Sequence, residues 1–301
     1  MARAIELIER DITALQAAIR EIGAELHNAY ASYLTTLGQA LRKQLILASY
    51  HLCTQGYPEN FLKLSLNQRQ QLQQAIRNLG QEAADLLLSY MQDEEEEEEE
   101  ADEADEEEEA DDQDDQDDQD DQDERDEILT YILSEASALP LITSALKSFT
   151  PDFSNPIELA KWQHNLEDLT QQTLKKVSHD ANLLLQKASI LPQKLPKPIL
   201  EAAAAVSEAS AEVMPGPPNL LNLVVEIENE QDPEDSRLTK VMAINLRLGE
   251  IEFADTNVSS GRRQIRNILV QLNKVGRDYQ KKQRERSVAE AESAWRACWF
   301  E

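Results

Sequence analysis

Ile5, Ile8, Ile12, Leu15, Ile19, Ile22, Leu26, Ala29 and Tyr33 recur at alternating spacings of three and four. That period keeps one apolar stripe of a helix against a partner helix. Past Tyr33 the stripe moves by one residue, to Leu34, Leu37, Leu41, Leu45, Ala48 and Leu52. Such a stutter unwinds a coiled coil locally without ending the helix. "TQGYPEN" (Thr54 to Asn60) predicts the stop, with Gly56 at the C′ position and Pro58 close behind. A second stripe, Leu72, Ile76, Leu79, Ala83, Leu86 and Tyr90, follows after a short connection, so an antiparallel helical hairpin is expected over 1–92. The first helix is the longer, and its surplus stripe must meet another segment of this chain or another copy.

The pattern then disappears over 93–127 and resumes at Ile128, Tyr131, Ile132 and Leu133, a short helix that breaks at Pro140. In "FTPDFSNPIELAKW", Asn155 fits an N-cap, Pro156 the first helical position and Glu158 the third. The helix this starts is predicted to run to about Ile190, with Trp162, Leu166, Leu169, Thr173, Val177, Ala181, Leu184 and Ala188 on one face. Segment 128–190 is therefore expected to pack on the hairpin. Proline clusters around an alanine-rich stretch make 191–219 a linker.

From there the period changes to two. Leu223, Val225 and Ile227, then Ile244, Leu246 and Leu248, predict an antiparallel β-pair around a polar loop, "ENEQDPEDSRLT". The parity flips at Gly249 to Ile251 and Phe253, the signature of a bulge. A last helix carries Ile265, Ile268, Leu272, Val275 and Tyr279. The fold class expected is mainly α: a helical hairpin or coiled-coil bundle, an acidic insert, and a small α+β unit over 220–301.

Composition agrees, with 5% aromatic residues and only eight glycines in 301. The net charge of −29 belongs almost wholly to one place. Between Asp93 and Glu127 stand 27 acidic residues and one basic, Arg125, so that stretch carries −26 and the remainder −3. Like charges at this density, with nothing to bury, predict disorder. The tract admits three roles: a weak, unspecific cation binder lacking an EF-hand glycine, a mimic of nucleic acid that occupies a basic surface, or a solubilising spacer.

Catalytic signals are missing from the sequence. His27, His51, His164 and His179 form no HxxxH or HExxH arrangement, and Cys53 and Cys298 no zinc spacing. The glycines build no phosphate-cradling loop. No cofactor and no metal site are expected. The N-terminal segment is charged from its third residue, and no run of apolar residues is long enough to span a bilayer, so a cytoplasmic setting without a membrane span is expected.

Two surfaces remain as candidates. Arg262, Arg263, Arg266, Lys274, Arg277, Lys281, Lys282, Arg284 and Arg286 stand against Asp278 and Glu285. They could track phosphates, or form the solvated face of a coiled-coil helix, the reading their interleaving with an apolar stripe favours. Because the charge is expected to surround the helix, a membrane-surface role is disfavoured. Trp295 and Trp299, four apart, with Phe300 and the Tyr279 face, could anchor a protein partner; the competing reading has the tryptophans capping the chain's own β-pair.

Two blocks, "GYPENFLKLSLNQRQQLQQAIRNLG" (Gly56 to Gly80) and "RLGEIEFADTNVSSGRRQIRNILVQLNKVGRDYQKKQRERSVAEAESAWR" (Arg247 to Arg296), resemble functionally uncharacterised coiled-coil proteins of cyanobacteria. The resemblance covers about a quarter of the chain. It implies a bacterial cytoplasmic setting and assigns no activity or residue. The function expected is a non-enzymatic scaffold or adaptor, assembling through helices with protein partners or as a homo-oligomer, with the acidic tract as spacer and electrostatic filter. The alternative is a regulatory nucleic-acid-associated protein whose basic C-terminal helix the acidic tract masks.

Overall fold

The computed structural model describes residues 2–91, 153–192, 217–229 and 232–299. The acidic tract, the short helix expected from Ile128, most of the expected linker and Phe300 lie outside the described residues.

The first stripe forms a single 50-residue helix, α1 (Ala2–His51), whose stutter leaves it unbroken. Beyond the stutter the buried surface widens, with Leu34, Leu37, Leu41, Leu45 and Leu52 wholly buried. The helix does not end on a left-handed glycine as expected. No glycine among the described residues has positive φ; the chain leaves α1 through a π-turn, Leu52–Gly56, in which the Tyr57 N–H donates to the Leu52 carbonyl at 2.9 Å. The space at Gly56 is tight, because a Cβ there would come within 3.2 Å of the Met242 sulfur and press that side chain aside by a few tenths of an ångström. A short helix, α2 (Pro58–Lys63), leads to α3 (Leu66–Ser89), which opens on a reciprocal cap between Ser65 and Gln68.

α3 runs back along α1, and the two approach closely where Gly38 faces Ala84. The predicted stripe of α3 is buried from Leu72 to Tyr90, together with Ala75, Ala84 and Leu87. α3 also has a second neighbour, α4 (Pro156–Lys187). The N-cap is the expected one, with Asn155 accepting from the Ile157 N–H at 3.0 Å. α4 ends at Lys187, where Ser189 takes φ 58° and the Ile190 and Ser189 N–H groups close on the Leu185 and Gln186 carbonyls. Tyr90 and Thr173 share a 2.8 Å hydrogen bond between α3 and α4. The Trp162 ring meets His27 and Tyr30 of α1 at 5.9 and 5.5 Å.

The surplus stripe of α1 is covered from within the chain by the last helix, α6 (Thr256–Ala297). Tyr33 beside Gly261 and Asp11 bonded to Lys282 show the two running antiparallel. The helices thus alternate in direction, α1 up, α3 down, α4 up and α6 down, a four-helix bundle. Segment 220–301, expected as a small unit, supplies this fourth helix.

The antiparallel pair is longer than its apolar pattern, and its second strand is displaced from the one expected: of Ile244, Leu246 and Leu248 only Ile244 lies in it, and Leu248 begins the next helix. β1 (Leu220–Asn229) pairs with β2 (Asp232–Ile244) from Leu220 opposite Ile244 to Asn229 opposite Asp232, with an irregularity between Ile227 and Asn229. Most of the segment expected as a polar loop is therefore strand. The bulge expected at Gly249 is also corrected: 248–254 form a helix, α5 (Leu248–Ala254). Ile251 is buried there while Phe253 is 93% exposed, as one helical turn can arrange.

Side chains from the bundle finish the outer edge of β2. Tyr57 Oη accepts from the Met242 N–H at 3.0 Å and donates to its carbonyl at 3.2 Å. The Asn182 amide does the same for Ile244, at 2.9 Å each way, and Ser178 Oγ accepts from the Leu246 N–H at 2.9 Å. Alternate residues of an edge strand point their peptide groups outward, and these three side chains satisfy them in turn.

Candidate functional site

Of the nine basic residues singled out in the sequence, the structure separates three from the rest. Arg262 turns inward. Its Nε donates to Glu252 of α5 at 2.6 Å, its Nη1 and Nη2 clasp the Glu167 carboxylate of α4, and Nη2 donates to Tyr33 Oη at 2.7 Å. Tyr33 in turn donates to Glu252 at 2.7 Å, and Tyr30 donates to Glu167 at 2.6 Å. The guanidinium also lies over the Tyr33 ring at 4.5 Å. Four helices meet on one cation whose side chain is only 12% exposed. Burial disfavours its charge, but the Glu167 hydrogen bond, the tyrosine and the second carboxylate outweigh that and hold its pKa above the ordinary value. Burial, then the Glu167 carboxylate, raises Tyr30; burial dominates at Tyr33 as well. Fixed charges and unionised phenols make this a clamp between helices and a poor acid–base device near neutrality.

Lys282 bonds Asp11 and Glu285, each at 3.1 Å, and Arg286 pairs with Glu290 at 3.4 Å. The other six, Arg263, Arg266, Lys274, Arg277, Lys281 and Arg284, are exposed. At 100° per residue they fall within an arc of about 80°, spread over about 32 Å of helix. The six share one face, opposite buried Ile265, Ile268 and Leu272, while the partly exposed Lys282 and Arg286 stand on other sides of the helix. Asp278 lies on the flank of that arc.

Trp295 and Trp299 are 66% and 67% exposed, their ring centroids 5.9 Å apart and tilted by 43°. Every residue from Glu290 to Trp299 is exposed. The β-pair joins the start of α6 through α5, so Trp295 sits about 58 Å further along the helix. The tryptophans do not cap the β-pair. Tyr279 is not part of their surface either. It is half-buried, accepts from Gln283 Nε2 at 2.9 Å, and lies about 24 Å from Trp295 on nearly the opposite face.

Cys53 and Cys298 are free, the first buried with its thiol pushed up to about 11 by desolvation, the second exposed. Among the described residues no group of three His, Cys, Asp or Glu side chains could hold a metal ion, and no helix is long and apolar enough to cross a membrane. The Arg262 clamp escaped the sequence reading because its five side chains are scattered from Tyr30 to Arg262 in four segments. Only the position of Arg262 beside the apolar stripe of α6 could have singled it out.

No protein-family model, curated protein or solved structure matches the chain.

Proposed function

We propose that the protein is a non-enzymatic scaffold or adaptor of the bacterial cytoplasm, which captures protein partners through the exposed tryptophan pair near the end of α6. One observation carries this reading. Two tryptophans, four residues apart, stand exposed at the end of a helix whose described residues from Glu290 to Trp299 are all exposed. Large rigid aromatic rings supply contact area at little entropic cost, and recur as energetic centres of protein interfaces. The four-helix body then serves as a rigid mount, with the Arg262 clamp fixing α6 against α1, α4 and α5.

The test is the double substitution Trp295→Ala/Trp299→Ala in the full chain, followed by capture from source cells after nuclease treatment. Partner recovery should fall at least about tenfold if the pair forms a hot spot of about 2 kcal/mol or more, with helical circular dichroism unchanged. Unchanged recovery would sink the anchor, and loss of helix signal would show the rings to be core.

A further inference from the structure

The bundle finishes one edge of the hairpin, and that fixes which peptide groups the other edge offers. Tyr57 and Asn182 bond the N–H and carbonyl of Met242 and of Ile244, so those residues point their peptide groups away from β1. In an antiparallel ladder the residue opposite an outward one is itself outward. Asn222 and Leu220 stand opposite Met242 and Ile244, and Val224 and Glu226 continue the alternation. Leu221, Leu223 and Val225 therefore hold the ladder to β2, while Asn222, Val224 and Glu226 offer their N–H and carbonyl groups at the far edge of β1. Among the described residues the sheet has two strands, and none is paired with that edge. Edge strands are ordinarily guarded by lysine, proline or a covering element. β2 contains Pro233, Arg237 and Lys240, whereas β1, "LLNLVVEIEN", has no lysine, arginine or proline.

We propose that this edge pairs antiparallel with the β1 edge of a second copy, giving a twofold dimer with a continuous sheet in the order β2–β1–β1–β2. Three observations name a second copy as the occupant. A twofold contact requires an edge that is complementary to its own reversal, and β1 has one. With the axis at Val224, Asn222 of each copy stands opposite Glu226 of the other, amide against carboxylate, and Val224 stands opposite its counterpart. An axis at Glu226 would set that carboxylate against itself. The sequence on the N-terminal side of β1 makes a poor third strand, because the linker is alanine-rich between proline clusters and the acidic tract is Asp, Glu and Gln. Lastly, the bundle holds Met242, Ile244 and Leu246 at the base of the ribbon. Two strands are marginal in water alone, and four supply what the ribbon needs toward its turn at Asn229 and Asp232. The pairs at Asn222, Val224 and Glu226 each exchange two main-chain hydrogen bonds. The contact goes beyond partner capture and uses none of the tryptophan surface, so one dimer carries two tryptophan pairs.

Substitution by parity tests this in the full chain. Val224→Pro removes an outward N–H and puts the ring in its place, leaving the bonds to β2 intact. Sedimentation velocity should show the unaltered protein as a dimer and Val224→Pro as a monomer, with circular dichroism and urea midpoint unchanged. The tryptophan double variant should remain dimeric, which separates this result from failure of the anchor. Cross-linking reads the register independently, whether or not the proline variant folds. Cys53 is buried and Cys298 exposed, so the background is Cys298→Ser. There Val224→Cys should join two copies on mild oxidation, because facing residues of a hydrogen-bonded pair lie about 5.5 Å apart, within disulfide reach. Val225→Cys meets its counterpart only across a diagonal of about 7–8 Å and should cross-link far more slowly. A chain that stays monomeric at about 100 μM overturns the proposal, including one whose edge is filled by another segment of its own. So does a dimer that a folded Val224→Pro leaves intact, or one that Val224→Cys cross-links no faster than Val225→Cys.

Discussion

Arg262 shows how one residue decides the placement of a whole helix. The guanidinium has enough donors to bind two carboxylates and a phenol at once, and here those acceptors come from α1, α4 and α5. Removing it leaves Glu167 and Glu252 side by side and largely buried. Arg262→Ala should therefore cost about 3–5 kcal/mol, as for a buried pair broken from one side, read from urea midpoints. A loss under about 1 kcal/mol would mean that water replaces the cation. Glu82 on α3 gives a second test, of the opposite sign. Burial raises its pKa, helped by Asp180 of α4 and by Asp85, with Lys176 offsetting part. A carboxyl whose pKa is higher folded than unfolded destabilises the fold when ionised, and that cost vanishes as pH falls through the carboxylate range. Glu82→Gln should stabilise the protein at pH 7 and lose its advantage below about pH 4; an advantage constant with pH would trace to packing instead.

Among the elements, the helices were legible because burial at spacings of three and four survives any tertiary detail. The stripe of α3 is buried as read, and the cap at Asn155 is where proline and glutamate placed it. What misled was alternation over too few residues. Ile251 and Phe253 share parity in a strand and face apart in a helix, and seven residues of α5 give no room to tell the periods apart. β2 was misplaced for the opposite reason: a hairpin ladder is made of peptide groups, so the polar Asp232, Arg237 and Thr239 pair with β1 as readily as Leu238 does. Its outer edge depends on side chains that look ordinary in sequence. Asn182→Leu, close in size but without the amide, would strand the Ile244 N–H and carbonyl in a buried setting. The expected cost is about 2–4 kcal/mol by chemical denaturation. A neutral outcome would show that the strand end moves to find water.

At the scale of the molecule, charge was the part of the candidate site most open to sequence reading and the part most changed by structure. Nine basic residues in one stretch were visible. That Arg262 serves the interior, that Lys282 and Arg286 are engaged by Asp11 and Glu290, and that the remaining six share one face depends on which side of α6 meets α1. The tryptophans were visible as a pair, but their distance from the β-pair required knowing that α6 runs 42 residues without a break. Tyr279 was grouped with them by the stripe it continues, and it follows that stripe inward, away from them.

The placement of the three tryptophans gives the molecule two separate optical reporters. Trp162 is 9% exposed and stacks on His27 in the bundle interior, whereas Trp295 and Trp299 stand in solvent at the far end of α6. Interior indole emission is blue-shifted and partly quenched by its stacked neighbour, and solvated indole emission is red-shifted and open to a soluble quencher. Iodide should therefore silence the long-wavelength component while leaving the short-wavelength one. Unfolding and occupancy of the helix tip then become distinguishable in one unlabelled sample, the first by the colour of Trp162 and the second by protection of the other two.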